Sequence, residues 1–176
     1  PFTRDVVLEL LESYPSPLVV DADGINSVRG HINRVKERTG VTVFTPHPGE
    51  MAKLIGKSVE YVQANRLQIA MEFAQQNGVV VVLKGAGTII ADPSGRIAIS
   101  LTGNSGLSKG GSGDVLAGMI TSFLAQGIPA FESAYMSVWL HGRAGEMASA
   151  NLSRRGMLPS DVIATLPALF LEMETE

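Results

Sequence analysis

The chain has 176 residues, 45% hydrophobic and 18% charged, with a net charge of -3 and no cysteine. That length suits about one globular domain, and the slightly acidic balance, without a basic block or aromatic-basic interleaving, argues against a nucleic-acid partner. Lack of cysteine excludes disulfides and thiolate metal sites and fits a reducing, cytoplasmic compartment. Apolar stretches such as residues 79–83 are far too short to span a bilayer, so no membrane partner is expected. The opening PFTRDVVLELLES has no initiator Met and no secretory h-region. It reads as the start of a fragment or processed chain.

Thr3 or Asp5 can cap a short helix through Ser13, with Val6, Val7, Leu10 and Leu11 at helical spacing. Pro15 and Pro17 end it. Leu18, Val19 and Val20 form an apolar strand running into Asp21 and Asp23, and residues 24–40 carry a weak helical pattern through Ile32, Val35 and Lys36. A β-branched strand over 41–45 stops at Pro46 and Pro48. Helices are predicted over 49–55 and 59–77, the second capped by Ser58 and ended by Gly78. Residues 79–84 are a continuous apolar run, as in a strand covered on both faces. Residues 88–91 and 97–100 flank Asp92-Pro93-Ser94-Gly95, a hairpin turn. Helices follow over 114–125, 130–151 and 160–174, with Gly142 and Gly145 permitting close packing of the second.

Alternating strands and helices predict an α/β fold with a largely parallel sheet. Ligands collect at the carboxyl ends of such strands. The polar segments 21–26, 46–50, 84–88 and 102–114 all fall there.

The richest of them spans residues 103–118 and holds six glycines in sixteen residues. Glycines let the backbone approach a ligand, and the helix start that follows offers unpaired amides at its positive dipole end. That is an anion site, most plausibly for phosphate. Neither a Walker A motif nor a dinucleotide fingerprint is present. Asp114 is open to two readings: a helix-start residue, or a general base that takes a proton from an attacking hydroxyl.

In Thr45-Pro46-His47-Pro48-Gly49-Glu50, the prolines hold His47 extended, where it is either a donor to a ligand or a solvated loop residue. Glu50 either holds a water on Mg²⁺ or is a first-turn carboxylate favoured by the helix dipole. Lys84 follows five apolar strand residues, so its charge needs a destination: a nucleotide phosphate, or solvent reached by snorkelling. Asp21 and Asp23 lie near a substrate or solvated metal, or brace the neighbouring loop. His141, on an apolar helix, reads as a satisfied core residue, and His31 as structural.

The ordered set VVDADGIN, TPHPGEM, VVLKGAGT and GNSGLSKGGSGDVLAG resembles the ADP/ATP-dependent NAD(P)H-hydrate dehydratases of the ribokinase-like superfamily. The resemblance runs from about Leu18 to the C-terminus. It implies a single ribokinase-like domain, a three-layer sandwich lacking the N-terminal part of the fold, whose first strands and further glycine-rich contacts are not in this sequence. It implies an anion hole at Gly111, Ser112 and Gly113 and a catalytic base at Asp114. Nucleotide contacts are implied at Lys84, Gly85, Ala86, Gly87, Thr88 and Gly113. Substrate contacts are implied at His47, Asn104 and Asp114, and a water-mediated Mg²⁺ at Glu50. The implied reaction is that of a lyase, ADP- or ATP-dependent dehydration of NADHX or NADPHX. A ribokinase-like kinase for a thiazole, pyrimidine or sugar alcohol is the alternative, and a truncated nucleotide-binding module a third reading. A homo-oligomer is expected, since an incomplete sheet leaves an edge open, and an epimerase fused upstream remains open.

Overall fold

A computed structural model describes residues 2–175. The first helix, α1 (Phe2–Ser13), buries Leu8 and Leu11, and the two prolines end it as predicted. Three short strands, β1 (Leu18–Val20), β2 (Thr42–Phe44) and β3 (Val80–Leu83), then run parallel. They continue into an antiparallel hairpin, β4 (Thr88–Ala91) and β5 (Ile97–Ser100), giving the spatial order β1-β2-β3-β4-β5. The hairpin falls on the predicted residues. Its turn is held by buried Asp92, which accepts from Ser94 N and Arg96 N and pairs with Arg96 Nε at 2.6 Å.

Between β1 and β2 lie α2 (Ala22–Val28) and α3 (Ile32–Lys36). Before β3 come α4 (Pro48–Ile55), α5 (Val59–Ala64) and α6 (Arg66–Asn77). A 3₁₀ turn (Ser105–Leu107) precedes α7 (Ser112–Ala125), α8 (Ala130–Gly156) and α9 (Pro159–Thr175).

Side chains alternate across a strand, so each strand feeds two layers. Val20, Phe44, Val81, Leu83 and Ile89 face one core, closed by residues such as Leu11, Ile25, Met51, Val62 and Phe73 of the first six helices. There the Phe44 and Phe73 rings meet edge to face at 5.9 Å. Val43, Val80, Val82 and Ile90 face the other, against Leu116 and Ile120 of α7 and Ala134 and Val138 of α8. β3 is buried at every position, as its unbroken apolar run requires. A third cluster joins α8 to α9 through Leu140, Ala144, Met157, Val162 and Leu169. The result is the expected three-layer α/β sandwich. Among the described residues no helix is long and apolar enough to cross a membrane.

The structure corrects three expectations. The helical pattern expected only from residue 24 begins earlier, because α2 starts at Ala22 directly after β1. The single helix over 59–77 is two, broken at Asn65 (φ -128, ψ 28), whose Nδ2 donates to Tyr61 O. Ser58 still caps the first piece, and Gly78 (φ 66) still ends the second. The helix predicted over 130–151 is interrupted close to that end, at Ser153 (φ 66, ψ 157), and a last helical turn carries it on to Gly156.

The close packing expected at Gly142 and Gly145 is present. A Cβ on Gly142 would meet Thr102, and one on Gly145 would meet Leu107 Cδ2 at 2.7 Å. These contacts seat α8 against the segment leading to the glycine-rich loop.

Candidate active site

β1, β2 and β3 are parallel, and two reversals through the hairpin return β5 to the same direction. All four polar segments therefore emerge at one end of the sheet.

The glycine-rich segment turns into α7 at Gly111, which is left-handed (φ 90) and occupies the N-cap position without a side chain to cap the helix. Ser112 N donates to Lys109 O and Val115 N to Gly111 O. Among the described residues the Gly111, Gly113 and Asp114 N–H groups have no hydrogen-bond acceptor. These amides, at the positive end of a 14-residue helix, are what an anion requires. The Ser112 hydroxyl points the other way: it is buried and meets His141 Nε2 at 3.2 Å. Burial, aided by the Lys84 charge and opposed by a hydrogen bond to the Ser112 backbone, pushes the His141 imidazole down to about 4. His141 is thus neutral at physiological pH and ties the loop to α8. Lys109 adds a second tether, its ammonium on the carbonyls of Arg155 and Met157.

Asp114 lies in the first turn of α7, exposed, with no hydrogen bond or ion pair to any described residue. Its placement leaves the carboxylate available to a ligand.

His47 is the N-cap of α4, extended at φ -81 and ψ 166, as its flanking prolines predict. Its Nδ1 accepts from Gly49 N at 3.0 Å and Glu50 N at 3.2 Å, and Glu50 Oε2 accepts in return from His47 N at 2.7 Å. This reciprocal cap holds the ring with its proton on Nε2. His47 is half-exposed, with Nε2 as its remaining donor. Glu50 is 7% exposed, with Oε1 at 3.5 Å from His47 Nε2.

Lys84 does not snorkel into solvent. Its Nζ donates to Asp21 Oδ1 at 2.7 Å and stands 4.0 Å from Glu50 Oε2. A Cβ on Gly113 would lie 3.4 Å from both Lys84 Nζ and Asp21 Oδ2. The ammonium thus sits beside Gly113 at the start of α7. Gly85 (φ 143) and Gly87 (φ 66) shape the following loop, and the Thr88 hydroxyl closes it by donating to Gly85 O at 3.0 Å. Arg66 clamps the loop from outside through Nη2 to Leu83 O and Gly87 O.

Asn104 has a different setting. Its side chain accepts from Gly106 N at 2.8 Å and donates to Ser149 Oγ at 2.9 Å, so its amide is committed to the 3₁₀ turn and α8. It borders a cavity of about 460 Å³ lined by Gly103, Glu146, Ser149, Ala150 and Arg154. The structure thus gathers Asp21, Lys84, Glu50, Gly113 and their neighbours at one sheet end.

Arg66 and Lys109 are contributors the motifs did not assign, and Asp21, read as lying near a substrate or metal or bracing a loop, is the counter-charge of Lys84. The buried stem of Lys84 called for a destination for its charge, but spacing did not say which carboxylate supplies it. Arg66 and Lys109 act on backbone carbonyls, which leave no trace in residue pattern.

The family profile described as NAD(P)H-hydrate dehydratase matches residues 3–168. The chain belongs to this family. It is 40% identical over 176 residues to a bifunctional NAD(P)H-hydrate repair enzyme of Moorella thermoacetica, covering 100% of this chain and 33% of the relative. It is 41% identical over 140 residues to an ADP-dependent (S)-NAD(P)H-hydrate dehydratase of Neisseria meningitidis serogroup B, covering 78% of this chain and 47% of the relative. Its fold overlays the ADP/ATP-dependent NAD(P)H-hydrate dehydratase of Bacillus subtilis, co-crystallized with ATP/Mg²⁺, with a TM-score of 0.81 and 33% identity. That overlay covers 92% of this chain and 56% of the other. This NAD(P)H-hydrate dehydratase family chain therefore spans between a third and somewhat over half the length of these relatives.

Proposed function

We propose that this chain carries the site for ADP- or ATP-dependent dehydration of hydrated NAD(P)H, restoring NAD(P)H by transient phosphorylation and phosphate elimination. The observation carrying this reading is Asp114: an unpaired, exposed carboxylate on the first turn of α7, beside the unpartnered Gly113 amide. An acid next to an anion site suits a base that activates a hydroxyl for attack on phosphorus.

In the proposed sequence, Asp114 removes the proton from the hydroxyl of the hydrated ring, and the oxygen attacks the terminal phosphorus of the nucleotide. The phosphorus–oxygen bond to the remaining nucleotide breaks. The α7 amides and Lys84 hold the charge spread over the transferring oxygens. The ring nitrogen lone pair then expels the new phosphate, and loss of a ring proton restores the dihydronicotinamide. Phosphorylation converts a poor leaving group into a good one. His47, with its proton fixed on Nε2, donates to the hydrated nucleotide and orients it. The loop from Lys84 to Thr88 holds the adenine nucleotide.

The described residues contain no cluster of three carboxylate or imidazole ligands. Glu50 caps His47 N through Oε2, while its Oε1 accepts no hydrogen bond from any described residue. This donor set fits Mg²⁺ carried on phosphate oxygens and water, with Glu50 reaching it through a water. When bound, the ion supplies neutralisation of phosphate charge. The repair-enzyme relatives are named bifunctional, which supports an epimerase region elsewhere in the full-length protein.

The test supplies the full-length protein with NADHX, Mg²⁺ and either ADP or ATP, and follows the return of dihydronicotinamide absorbance. Asp114→Asn should lower turnover roughly 10²- to 10⁴-fold, the range of a lost general base, with nucleotide affinity kept. Unchanged hydrate, with a small alcohol phosphorylated instead, would replace this reading with a small-molecule kinase.

A further inference from the structure

Asp21 has a property that its position does not explain. It occupies the N-cap of α2, where aspartate is among the preferred residues because its carboxylate accepts from the first amides. Here it makes no such bond. Its Oδ1 instead accepts from Lys84 Nζ at 2.7 Å, across 63 residues of sequence. The two residues leave the ends of β1 and β3, which β2 separates, so their backbones stand about 10 Å apart at ordinary strand spacing. The contact forms over the β2 exit, where Lys84 N donates to Pro46 O.

Two further observations converge on this pair. Ala22, the next residue, has a φ of 47, a left-handed conformation that non-glycine side chains rarely adopt. Backbone strain of this kind persists where the surroundings fix a group in place. Gly113 lies opposite, where a Cβ would come within 3.4 Å of both Asp21 Oδ2 and Lys84 Nζ. Oδ2 accepts no hydrogen bond from any described residue. The Asp21 and Lys84 side chains are 14% and 21% exposed, so the pair is shielded without being sealed.

We propose that Asp21 is a positioning residue for phosphoryl transfer, holding the Lys84 ammonium beside Gly113 at the start of α7 before the nucleotide arrives. The inference rests on the function proposed above. A carboxylate beside a phosphate site disfavours phosphate binding by like-charge repulsion. Its contribution is therefore to alignment and not to ground-state affinity. Removing it frees the four-carbon lysine stem to rotate while reducing negative charge near the phosphate.

The consequence is a split between kcat and KM. In the full-length protein, Asp21→Asn should lower kcat roughly 10- to 100-fold, the scale of an ångström-level misplacement. Nucleotide KM should stay unchanged or fall. Asp21→Glu, which keeps the charge, should recover a substantial part of kcat. Calorimetric titration with ATP gives a readout independent of the acceptor: Lys84→Ala should weaken binding roughly ten-fold or more through loss of a charged phosphate contact, while Asp21→Asn should not. A kcat for Asp21→Asn within two-fold of wild type would overturn the inference. So would nucleotide binding weakened as much as by Lys84→Ala. Wild-type protein that leaves NADHX untouched but phosphorylates a small alcohol defeats the dehydratase reading alone, because the same kcat comparison on that alcohol, beside the calorimetric one, still decides the role of Asp21.

Discussion

His141 ties the glycine-rich loop to α8, and its burial makes the fold sensitive to acid. An imidazole that titrates near 6.5 when unfolded is pushed to about 4 in the fold, chiefly by burial. Between those values the unfolded chain binds the proton and the folded one does not. Stability from this group is complete above pH 6.5 and is lost as the pH falls toward 4. The full shift corresponds to roughly 3 kcal/mol, and the part falling between pH 7 and pH 5 to about 2 kcal/mol. For a domain of this size the latter lowers Tm by about 4–8 °C. The assay compares wild type with His141→Gln, which retains a polar partner for Ser112 and does not titrate. Thermal or urea unfolding is followed at pH 7, 6 and 5, so that all other groups cancel in the difference. Wild type should lose about 2 kcal/mol more than the variant over that range. Parallel curves for the two proteins would refute the reasoning, as would a His141 ring resonance that titrates near 6.5 in the folded state.

The backbone contacts make two further predictions. Gly142→Ala should cost about 1–3 kcal/mol by overpacking against Thr102, read as a lower urea midpoint. Gly118→Ala on α7, where a Cβ meets nothing within 4 Å, should instead gain about 0.5–1 kcal/mol from helix propensity. His47→Ala should remove a cap worth about 1 kcal/mol. His47→Asn should restore the cap and the melting temperature without restoring turnover, because the Nε2 donor is lost.

The elements whose signals are local were legible before the structure. The apolar run of β3, the Asp-Pro-Ser-Gly turn of the hairpin, the Ser58 cap and the Gly78 stop each write their physics into neighbouring residues. The glycine density before Asp114 likewise announced a tightly bent loop, since glycine takes the left-handed angle found at Gly111 without the strain a Cβ brings. The break at Asn65 was not legible, because both sides of it are good helix and one side chain's bond to Tyr61 O decides it. Nor was the start of α2, since the Asp-Ala-Asp-Gly sequence suits a loop equally well.

Spacing along the chain could say that charge gathers at strand ends, and side-chain type could say which chemistry is available there. It could not say that the Lys84 charge goes to Asp21, 63 residues away, or that the Ser112 hydroxyl turns inward to His141. Those pairings depend on strand order and on which helix covers which face, and both are set by burying all the layers at once. Local patterns specify the groups; their distances come only from the packed whole.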